Sequence, residues 1–348
     1  MARKSRAVNA GGVIIGGSAP ITVQSMLNAP AHDVKRNLDQ LKELELAGCE
    51  IVRMSVPDED AAKVFGEVCK NAHVPIVADI HFDYRLALAA LKAGASKIRI
   101  NPGNIGSEDR VKTVADACKA QGVPIRVGVN SGSVEKELIA EYGGVCPEAL
   151  AESAMNHVHM LEECGFYDTV ISIKSSDVRC MINAYRAVAG VCDYPLHLGV
   201  TEAGTYHSSI IKSAVGIGSL LADGIGDTIR VSITDTPVRE VAAGFDILKA
   251  LELRVNSPVI ISCPTCGRTQ IDLVSLANRV EEAVKDIHKP IKIAVMGCVV
   301  NGPGEAANAD IGVAGGKGCG MLFKGDKILR KVSEEDIVDE LLKEIELL

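Results

Sequence analysis

The 348-residue sequence lacks several features that would place it in a membrane, secreted or nucleic-acid-binding class. It has no apolar run of about 20 residues, which a membrane-spanning helix requires. Its basic N-terminus, MARKSRAVNAGGVIIGG, contains an apolar stretch interrupted by glycine and no cleavage site, so we expect no secretory signal. Basic residues are not in excess, since the formal net charge is −8 at pH 7, which disfavours a nucleic-acid surface. We therefore expect a cytoplasmic protein that binds neither membrane nor nucleic acid.

The amino-acid composition is typical of a folded globular protein. Hydrophobic residues make up 47% of the chain and charged residues 24%, which supplies a core and excludes general disorder. The chain is longer than the roughly 250 residues at which a single core usually stops growing, so a large and a small domain are expected. In a reducing compartment, the eleven cysteines should be free thiols or metal ligands.

Between residues 21 and 257, short β-branched runs alternate with longer Ala- and Leu-rich segments of helical pattern. This alternation is typical of parallel βαβ construction. The predicted strands are 21–25, 51–56, 75–80, 97–101, 124–130, 169–174, 196–201 and 228–234. Eight strand–helix units of this length predict a (β/α)8 TIM barrel, and an open doubly wound sheet is the weaker alternative.

After residue 256 the pattern changes to that of a compact α/β domain. Strands are predicted at 258–262, 291–296 and 309–313, and helices at 271–287 and 333–347. We therefore predict a barrel domain over residues 1–256 and a smaller α/β domain over residues 257–348, with a short linker between them.

Basic residues recur inside five of the predicted barrel strands. The C-terminal strand ends of such a barrel form the active-site face, so charges there are not core filler. Buried like charges repel one another unless an anion neutralises them, and guanidinium groups match phosphate oxygens with paired hydrogen bonds. The sequence therefore predicts a diphosphate site formed by Arg53, Arg99, Arg126, Lys174 and Arg230. Polar residues at the same strand ends, expected to bind hydroxyl groups or remaining phosphate oxygens, are Asn101, Asn130, Thr201 and Ser232.

This region contains two candidates for proton transfer, which are Glu202 and the pair Asp79 and His81. Glu202, in LGVTEAG, is the stronger one, because desolvation and a bound dianion can raise the pKa of a carboxyl group enough for acid catalysis. A salt bridge that orients an arginine is the alternative role for Glu202. Asp79 and His81, in VADIHF, face the same side of an extended strand, which suits an oriented imidazole and equally a structural hydrogen bond.

Four cysteines lie together in the predicted C-terminal domain. Cys263 and Cys266 form a C-x2-C pair in SCPTCGR, Cys298 follows in MGCVVNGPGEA, and Cys319 lies in GKGCGM. A zinc site would commonly use two such pairs, whereas thiolates in Gly- and Pro-rich loops after strands suit a [4Fe-4S] cluster whose sulfurs accept backbone N–H bonds. The fourth ligand could be Cys319, Glu305 or substrate. The other seven cysteines are interpreted as small buried hydrophobes: Cys49, Cys69, Cys118, Cys146, Cys164, Cys180 and Cys192.

Several of these motifs together resemble one known family. CPTCGRT, GCVVNGPGEA, TEAGT, ADIHF and the arginine-bearing strands, in that combination, are similar to the bacterial 4-hydroxy-3-methylbut-2-enyl diphosphate synthases of the non-mevalonate isoprenoid pathway, in their short two-domain form. The similarity covers essentially the whole chain. It implies that residues 1–256 are a substrate-binding TIM barrel and that residues 257–348 hold a [4Fe-4S] cluster. The cluster ligands implied are Cys263, Cys266, Cys298 and the carboxylate of Glu305, rather than Cys319.

The resemblance also implies a reaction. The substrate would be 2-C-methyl-D-erythritol 2,4-cyclodiphosphate. Its ring is opened, a hydroxyl group leaves as water, and two electrons are consumed, which flavodoxin or ferredoxin supplies one at a time. Glu202 matches the residue proposed to deliver a proton. A head-to-tail homodimer is implied, in which the cluster domain of one subunit caps the barrel of the other. The residues implied to hold the diphosphate are Arg53, Arg99, Arg126, Lys174, Arg230 and Ser232.

Two other classes of function remain open from the residues themselves. One is a non-redox barrel lyase or aldolase with structural zinc, in which Lys174 would form a Schiff base. The other is a non-catalytic redox sensor that binds a phosphorylated metabolite.

Overall fold

A computed structural model of the chain describes residues 3–255, 257–287, 289–299 and 308–348. The chain divides after Arg254 into two compact units, each with its own sheet. No helix within these described ranges combines the length and apolarity needed to cross a bilayer.

The first unit is a parallel barrel, which confirms the predicted fold. Its eight strands run in the order β8-β7-β6-β5-β4-β3-β10-β9, and a bridge between Ile171 and Leu196 joins β8 to the segment before β9, closing the sheet. The strands are β3 (Thr22–Met26), β4 (Ile51–Ser55), β5 (Ile76–Asp79), β6 (Lys97–Ile100), β7 (Ile125–Asn130), β8 (Thr169–Lys174), β9 (His197–Leu198) and β10 (Thr228–Ile229).

The last two barrel strands are shorter than predicted. A Cβ atom on Gly199 would lie 2.7 Å from the carbonyl oxygen of Arg230, so the two backbones approach too closely there for a side chain at Gly199. Beyond that point the chain leaves the regular ladder, and residues 199–202 and 230–234 form loops at the mouth instead of strand.

The barrel is surrounded by helices, most of which begin at a capping side chain. Asp33, Asp58 and Asp177 each accept a backbone N–H of the first turn at 2.9–3.0 Å, a contact that stabilises a helix by about 1 kcal/mol. The helices are α1 (Val34–Leu46), α2 (Glu59–Asn71), α3 (Tyr84–Lys92), α4 (Pro102–Ile105), α5 (Glu108–Gln121), α6 (Lys136–Tyr142), α7 (Pro147–Glu163), α8 (Val178–Val191), α9 (Tyr206–Ala222) and α10 (Pro237–Ala250), with a 3-10 turn at Ser131–Ser133.

A hairpin that the sequence did not predict precedes the barrel. It consists of β1 (Ala7–Ala10) and β2 (Val13–Gly16), which pair in antiparallel fashion. Val8, Ala10 and Ile15 pack against apolar side chains near the beginnings of three barrel strands: Ile51, Val77 and Val170. The hairpin therefore closes the end of the barrel opposite the predicted mouth.

Above that apolar floor the barrel interior is polar. Strand side chains alternate in direction, and the outward ones, such as Ile98, Ile125 and Ile171, pack in the main core with the helices. The inward ones include many buried polar groups where branched aliphatic residues usually fill a TIM barrel: Gln24, Arg53, Asp79, Lys97, Arg99, Arg126, Ser172, His197 and Thr228. This deviation indicates a barrel whose interior is built for charge.

In its described residues, the second unit has a five-stranded sheet backed by two helices. Its strands are β11 (Val259–Ser262), β12 (Lys292–Met296), β13 (Ile311–Gly316), β14 (Cys319–Lys324) and β15 (Lys327–Ser333), and its helices are α11 (Leu273–Val284) and α12 (Ile337–Glu346). β11, β12 and β13 run parallel to one another. β14 pairs antiparallel with β13, and β15 pairs antiparallel with β14. Apolar residues of both helices pack against one face of the sheet.

The prediction for the end of this unit was partly wrong. The β14–β15 hairpin was missed, and the helix predicted from residue 333 begins only at Ile337 because Ser333 still pairs with Cys319. The hairpin turns at Gly325, whose φ of +53° suits glycine. Half-exposed strands rich in Lys and Arg, such as KILRKVS, carry a weak hydrophobic signal.

Candidate active site

A pocket opens at the C-terminal ends of β8, β9 and β10. Five of the residues predicted to bind substrate line it: Arg53, Lys174, Thr201, Arg230 and Ser232. The sequence did not single out the others, which are Ser172, Ile173, Tyr185, His197 and Gly199. The pocket thus reaches from the mouth down to side chains one inward position deeper on β8 and β9.

Asp79 binds two of the predicted arginines beside this pocket. Its carboxylate lies 3.1 Å from Arg99 Nη1 and 3.7 Å from Arg53 Nε, and all three side chains are buried. Burial alone would raise the pKa of Asp79, but Arg53 and Arg99 outweigh it and hold the pKa well below its usual range. His81 Nε2 is 3.9 Å from the same carboxylate and is half-exposed. The predicted Asp79/His81 pair is therefore part of an arginine network.

Arg53 and Arg126 have few partners for their charge. Arg53 donates to the thioether sulfur of Met26 at 2.7 and 3.1 Å, and burial, only partly offset by Asp79, lowers its pKa to about 10. Arg126 is fully buried and donates to Gln24 Oε1 at 3.2 Å, while its Nε and Nη2 have no partner among the described residues. Such guanidinium groups are suited to receive an anion.

Lys97 is a buried cation that sequence reasoning missed. It begins β6 and points the same way as Arg99, two residues along the strand. Its side chain is fully buried, and Nζ has no hydrogen-bond partner in the part of the chain that the structure describes. The alternation in KIRI could have identified it, because a barrel strand that directs Arg99 inward must also direct Lys97 inward.

Arg230 is held by a carboxylate that was also missed. Glu240, in the first turn of α10, accepts from Arg230 Nη2 at 2.8 Å and Nε at 3.2 Å. It also accepts from the Ser25 hydroxyl at 2.8 Å and the backbone N–H of Ile233 at 3.1 Å. With four donors satisfied, this buried carboxylate fixes the guanidinium beside the pocket.

We expect Glu240→Gln to weaken substrate binding more than it slows turnover. The amide presents N–H groups to Arg230 and Ser25, which are donors themselves, so the arginine loses its fixed orientation. By analogy with residues that orient ligands elsewhere, KM should rise by about 10-fold or more. Steady-state kinetics of Glu240→Gln and of Glu240→Asp, which keeps the charge, would measure this. Unchanged KM in both variants would mean that Arg230 does not need this partner.

Gly128 makes room for Arg99. A Cβ atom at this position of β7 would lie 2.4 Å from Arg99 Nε and 2.6 Å from Nη2. The guanidinium therefore occupies the space that any other residue would fill.

We expect Gly128→Ala to reduce activity by about 100-fold with the fold retained. The clash involves the far end of a flexible side chain, so Arg99 can move aside, but a shift of about 1 Å in a binding group is enough to misplace a substrate. The measurement is kcat/KM together with circular dichroism. Gly132→Ala is the matched control, because its Cβ would meet only Asn130 Oδ1, at an ordinary 3.5 Å. Equal activity of both variants would contradict the assignment of Arg99 to substrate.

Two predicted binding residues act locally as caps. Asn101 Oδ1 accepts the N–H of Gly103 at 3.1 Å, and Asn130 Oδ1 accepts the N–H of Gly132 at 3.0 Å. The oxygen of each amide therefore has a partner at the beginning of a helical turn. Asn101 Nδ2, which is buried, has no partner among the described residues.

Glu202 does not line the pocket in this structure. It is exposed in the loop after β9, and its φ of +52° places a non-glycine residue in the left-handed region. Such strain costs of the order of 1–3 kcal/mol and clusters at functional sites. Its role as a proton donor stays a prediction.

Three cysteines lie at one edge of the second unit's sheet. Cys263 directly follows β11 and Cys298 follows β12 by two residues, and these strands are parallel neighbours with Ser262 opposite Val295. Hydrogen bonds from the backbone and side chain of Arg268 lower the pKa of the exposed Cys266 thiol. Thiolates in such surroundings are good metal ligands.

These thiols fit an iron–sulfur cluster. The backbone N–H of Gly297 donates to Cys263 Sγ at 3.3 Å, and hydrogen bonds of this kind to sulfur tune the potential of a cluster. Glu305 lies outside the described residues.

Of the seven barrel cysteines predicted to be small buried hydrophobes, Cys49 and Cys118 are buried and the other five are only partly buried. Burial raises the pKa of Cys49, Cys69 and Cys118 to about 12, so these thiols stay protonated. All eleven cysteines are free.

Each of the two units matches a known protein-family model. Residues 5–245 match the family model described as the GcpE TIM-barrel domain, and residues 259–347 match the GcpE protein C-terminal domain. Proteins named 4-hydroxy-3-methylbut-2-en-1-yl diphosphate synthase (flavodoxin) are similar over nearly the full length. That of Clostridium acetobutylicum is 57% identical over 343 residues (99% of this chain and 98% of the relative), and that of Fusobacterium nucleatum is 53% identical over 345 residues (99% and 98%).

Two solved structures are similar in fold to about seven-tenths of the chain. A dihydropteroate synthase from Xanthomonas albilineans matches with a TM-score of 0.52 at 17% identity, covering 71% of this chain and 97% of that one. A 3-dehydroquinate dehydratase from Geobacillus kaustophilus matches with a TM-score of 0.53 at 15% identity, covering 72% and 99%. At these identities the likeness concerns fold only. The two family matches and the full-length relatives confirm the resemblance seen in the motifs, and the chain belongs to the GcpE family of 4-hydroxy-3-methylbut-2-en-1-yl diphosphate synthases.

Proposed function

We propose that this chain is a flavodoxin-dependent oxidoreductase that converts 2-C-methyl-D-erythritol 2,4-cyclodiphosphate into (E)-4-hydroxy-3-methylbut-2-enyl diphosphate in isoprenoid biosynthesis. Support comes from the names of its full-length relatives, which specify both product and electron donor. The observation that carries the proposal is that Arg53, Lys174 and Arg230 line one pocket at the barrel mouth, with the buried side chains of Arg99 and Arg126 on neighbouring strands. The reaction opens the ring, consumes two electrons and a proton, and releases water.

The chain's cofactor is a [4Fe-4S] cluster. Cys263, Cys266 and Cys298 would hold it from the second unit, with Glu305 as the proposed fourth ligand. When bound, the cluster would supply electrons one at a time, so the two-electron reduction would need two successive transfers from reduced flavodoxin.

The barrel's own residues bind and orient the diphosphate. Each charge-assisted hydrogen bond contributes about 1.5–3 kcal/mol, so a few of them fix the anion. Asp79 and Glu240 hold three of the arginines in place for this purpose. Glu202 is proposed to deliver the proton to the departing hydroxyl group. The proposed ligands of the diphosphate are Arg53, Arg99, Arg126, Lys174, Arg230 and Ser232, with Asn101, Asn130, Thr201, Asp79 and His81 around them.

The barrel is proposed as the substrate-binding domain and the second unit as the cluster domain. Eleven free thiols favour a reducing compartment, so we propose the cytoplasm. The head-to-tail homodimer stays a prediction. Mixing a Cys298→Ser subunit with an Arg99→Met subunit would test it, since restored activity requires sites shared between subunits.

Anaerobic purification and assay test the proposed function. We expect four irons and inorganic sulfide per chain, and conversion of the cyclic diphosphate when reduced flavodoxin is supplied. Zinc without sulfide, or borohydride trapping of substrate on Lys174, would overturn the proposal in favour of a lyase. A loaded cluster with no turnover would favour a sensor.

A further inference from the structure

The barrel interior holds more cations than acids. Among the described residues its buried carboxylates are Asp79 and Glu240, and both are already shared with arginines. The cations directed into the barrel or its pocket are Arg53, Lys97, Arg99, Arg126, Lys174 and Arg230. Unpaired like charges in a buried space repel strongly, so the anion-free barrel must reduce its charge.

Lysine is the cation that can do so. A guanidinium keeps its proton at any physiological pH, whereas a buried ammonium readily loses one. Lys97 and Lys174 form no ion pair with any described residue, and Lys97 Nζ has no hydrogen-bond partner there either. Burial, reinforced by neighbouring arginines, lowers the pKa of both amines well below the usual lysine range.

We propose that Lys174 and Lys97 are neutral amines in the anion-free barrel and become protonated when the cyclic diphosphate binds, so that substrate binding itself brings protons into the site. The proposal rests on the proposed function of the pocket. Each amine gains one proton from solvent or buffer, and no electron moves. Lys174 lines the pocket, so its new charge pairs with the anion. Because the reaction consumes a proton, a proton taken up with the substrate is available after water has been excluded.

Other titratable groups around the lysines either keep their charge or compete for the proton. The carboxylate of Asp79 is held ionised by Arg53 and Arg99, and burial raises the pKa of Tyr185, so neither changes charge near neutral pH. Two imidazoles are competitors for the proton. Burial, with Arg126 nearby, lowers the pKa of His197, and His81 lies at the mouth beside Asp79. Glu240 is engaged with Arg230 and Ser25.

Calorimetry of substrate binding in buffers of different ionisation enthalpy tests the proposal. The oxidised holoenzyme is titrated anaerobically, without reductant, with the cyclic diphosphate, whose phosphates each carry one strongly acidic hydroxyl and do not titrate near neutral pH. We expect net uptake of protons on binding, up to one for each lysine, and an affinity that falls as pH rises because fewer protons are then available to be taken up. Lys174→Met and Lys97→Met should each lower the uptake by up to one proton. Lys92→Met, at an exposed position on α3, is the control and should not change it.

Binding without proton uptake in the wild-type protein would overturn this inference and leave the proposed function standing. Uptake that is unchanged in both lysine variants would assign the proton to an imidazole and overturn it as well. Absence of binding by the wild-type holoenzyme would instead refute the pocket as the substrate site. The pH dependence of the wild-type affinity gives an independent answer if a lysine variant fails to fold.

Discussion

Replacement of Cys298 by serine is expected to remove the cluster and reduce turnover by well over 100-fold. Replacing a residue that only orients a metal ligand lowers metal affinity or activity 10- to 100-fold, so replacing a ligand itself should lower them further. Cys298 is 8% exposed at the thiol-bearing edge of the sheet, beside the strand that leads to Cys263. A serine hydroxyl is protonated at neutral pH and binds iron poorly. Iron and sulfide content, visible absorption and turnover with reduced flavodoxin measure the effect.

Cys319→Ser is the matched control within the same sheet. Cys319 begins β14 opposite Gly316, close to the same edge, and was the thiol alternative to Glu305 as fourth ligand. We expect the Cys319→Ser protein to keep its four irons and its activity. If it loses the cluster while Cys298→Ser retains it, the proposed ligand set is wrong.

The positions of the functional groups could be predicted because barrels impose a simple rule. Each of Arg53, Arg99 and Arg126 lies on a strand between two outward-facing apolar residues, so the alternation alone directs it inward. The C-terminal location of Lys174 on β8 follows from the direction of a parallel strand. The cysteines were visible because C-x2-C spacing has a chemical meaning independent of the fold.

Other features could not be predicted because they depend on packing between distant segments. Glu240 lies on a helix and looks like a surface acid until the fold brings it to Arg230 and Ser25. In the sequence, Gly128 resembles any glycine in a strand, and only the structure shows that Arg99 occupies the space that a side chain at this position would fill. The N-terminal hairpin was missed because VNAGGVII is short. Its apolar residues are buried only because they pack against the barrel strands as the floor of the barrel.

Replacement of Asp79 by asparagine is expected to destabilise the anion-free protein by about 3–5 kcal/mol at neutral pH. Removing one partner of a buried ion pair leaves the remaining charges uncompensated, and here two arginines would lose the negative charge that they share. Asp79 has a pKa held below its unfolded value of about 3.9, so its stabilisation is present above that pH and is lost as pH falls through the lower folded-state pKa. Urea unfolding at several pH values should therefore show the largest difference from wild type near neutrality and a smaller one in acid.

A bound anion should partly repair this defect, which distinguishes a charge effect from simple damage to the fold. The cyclic diphosphate places negative charge beside Arg53 and Arg99, so it should raise the melting temperature of Asp79→Asn more than that of the wild type. Asp60→Asn is the control, because Asp60 forms an exposed pair with Lys63 on α2, and pairs of that kind contribute little to stability. An Asp79→Asn protein as stable as the wild type without ligand would mean that the barrel arginines tolerate one another without a carboxylate. The excess of positive charge would then no longer explain why the pocket selects a diphosphate.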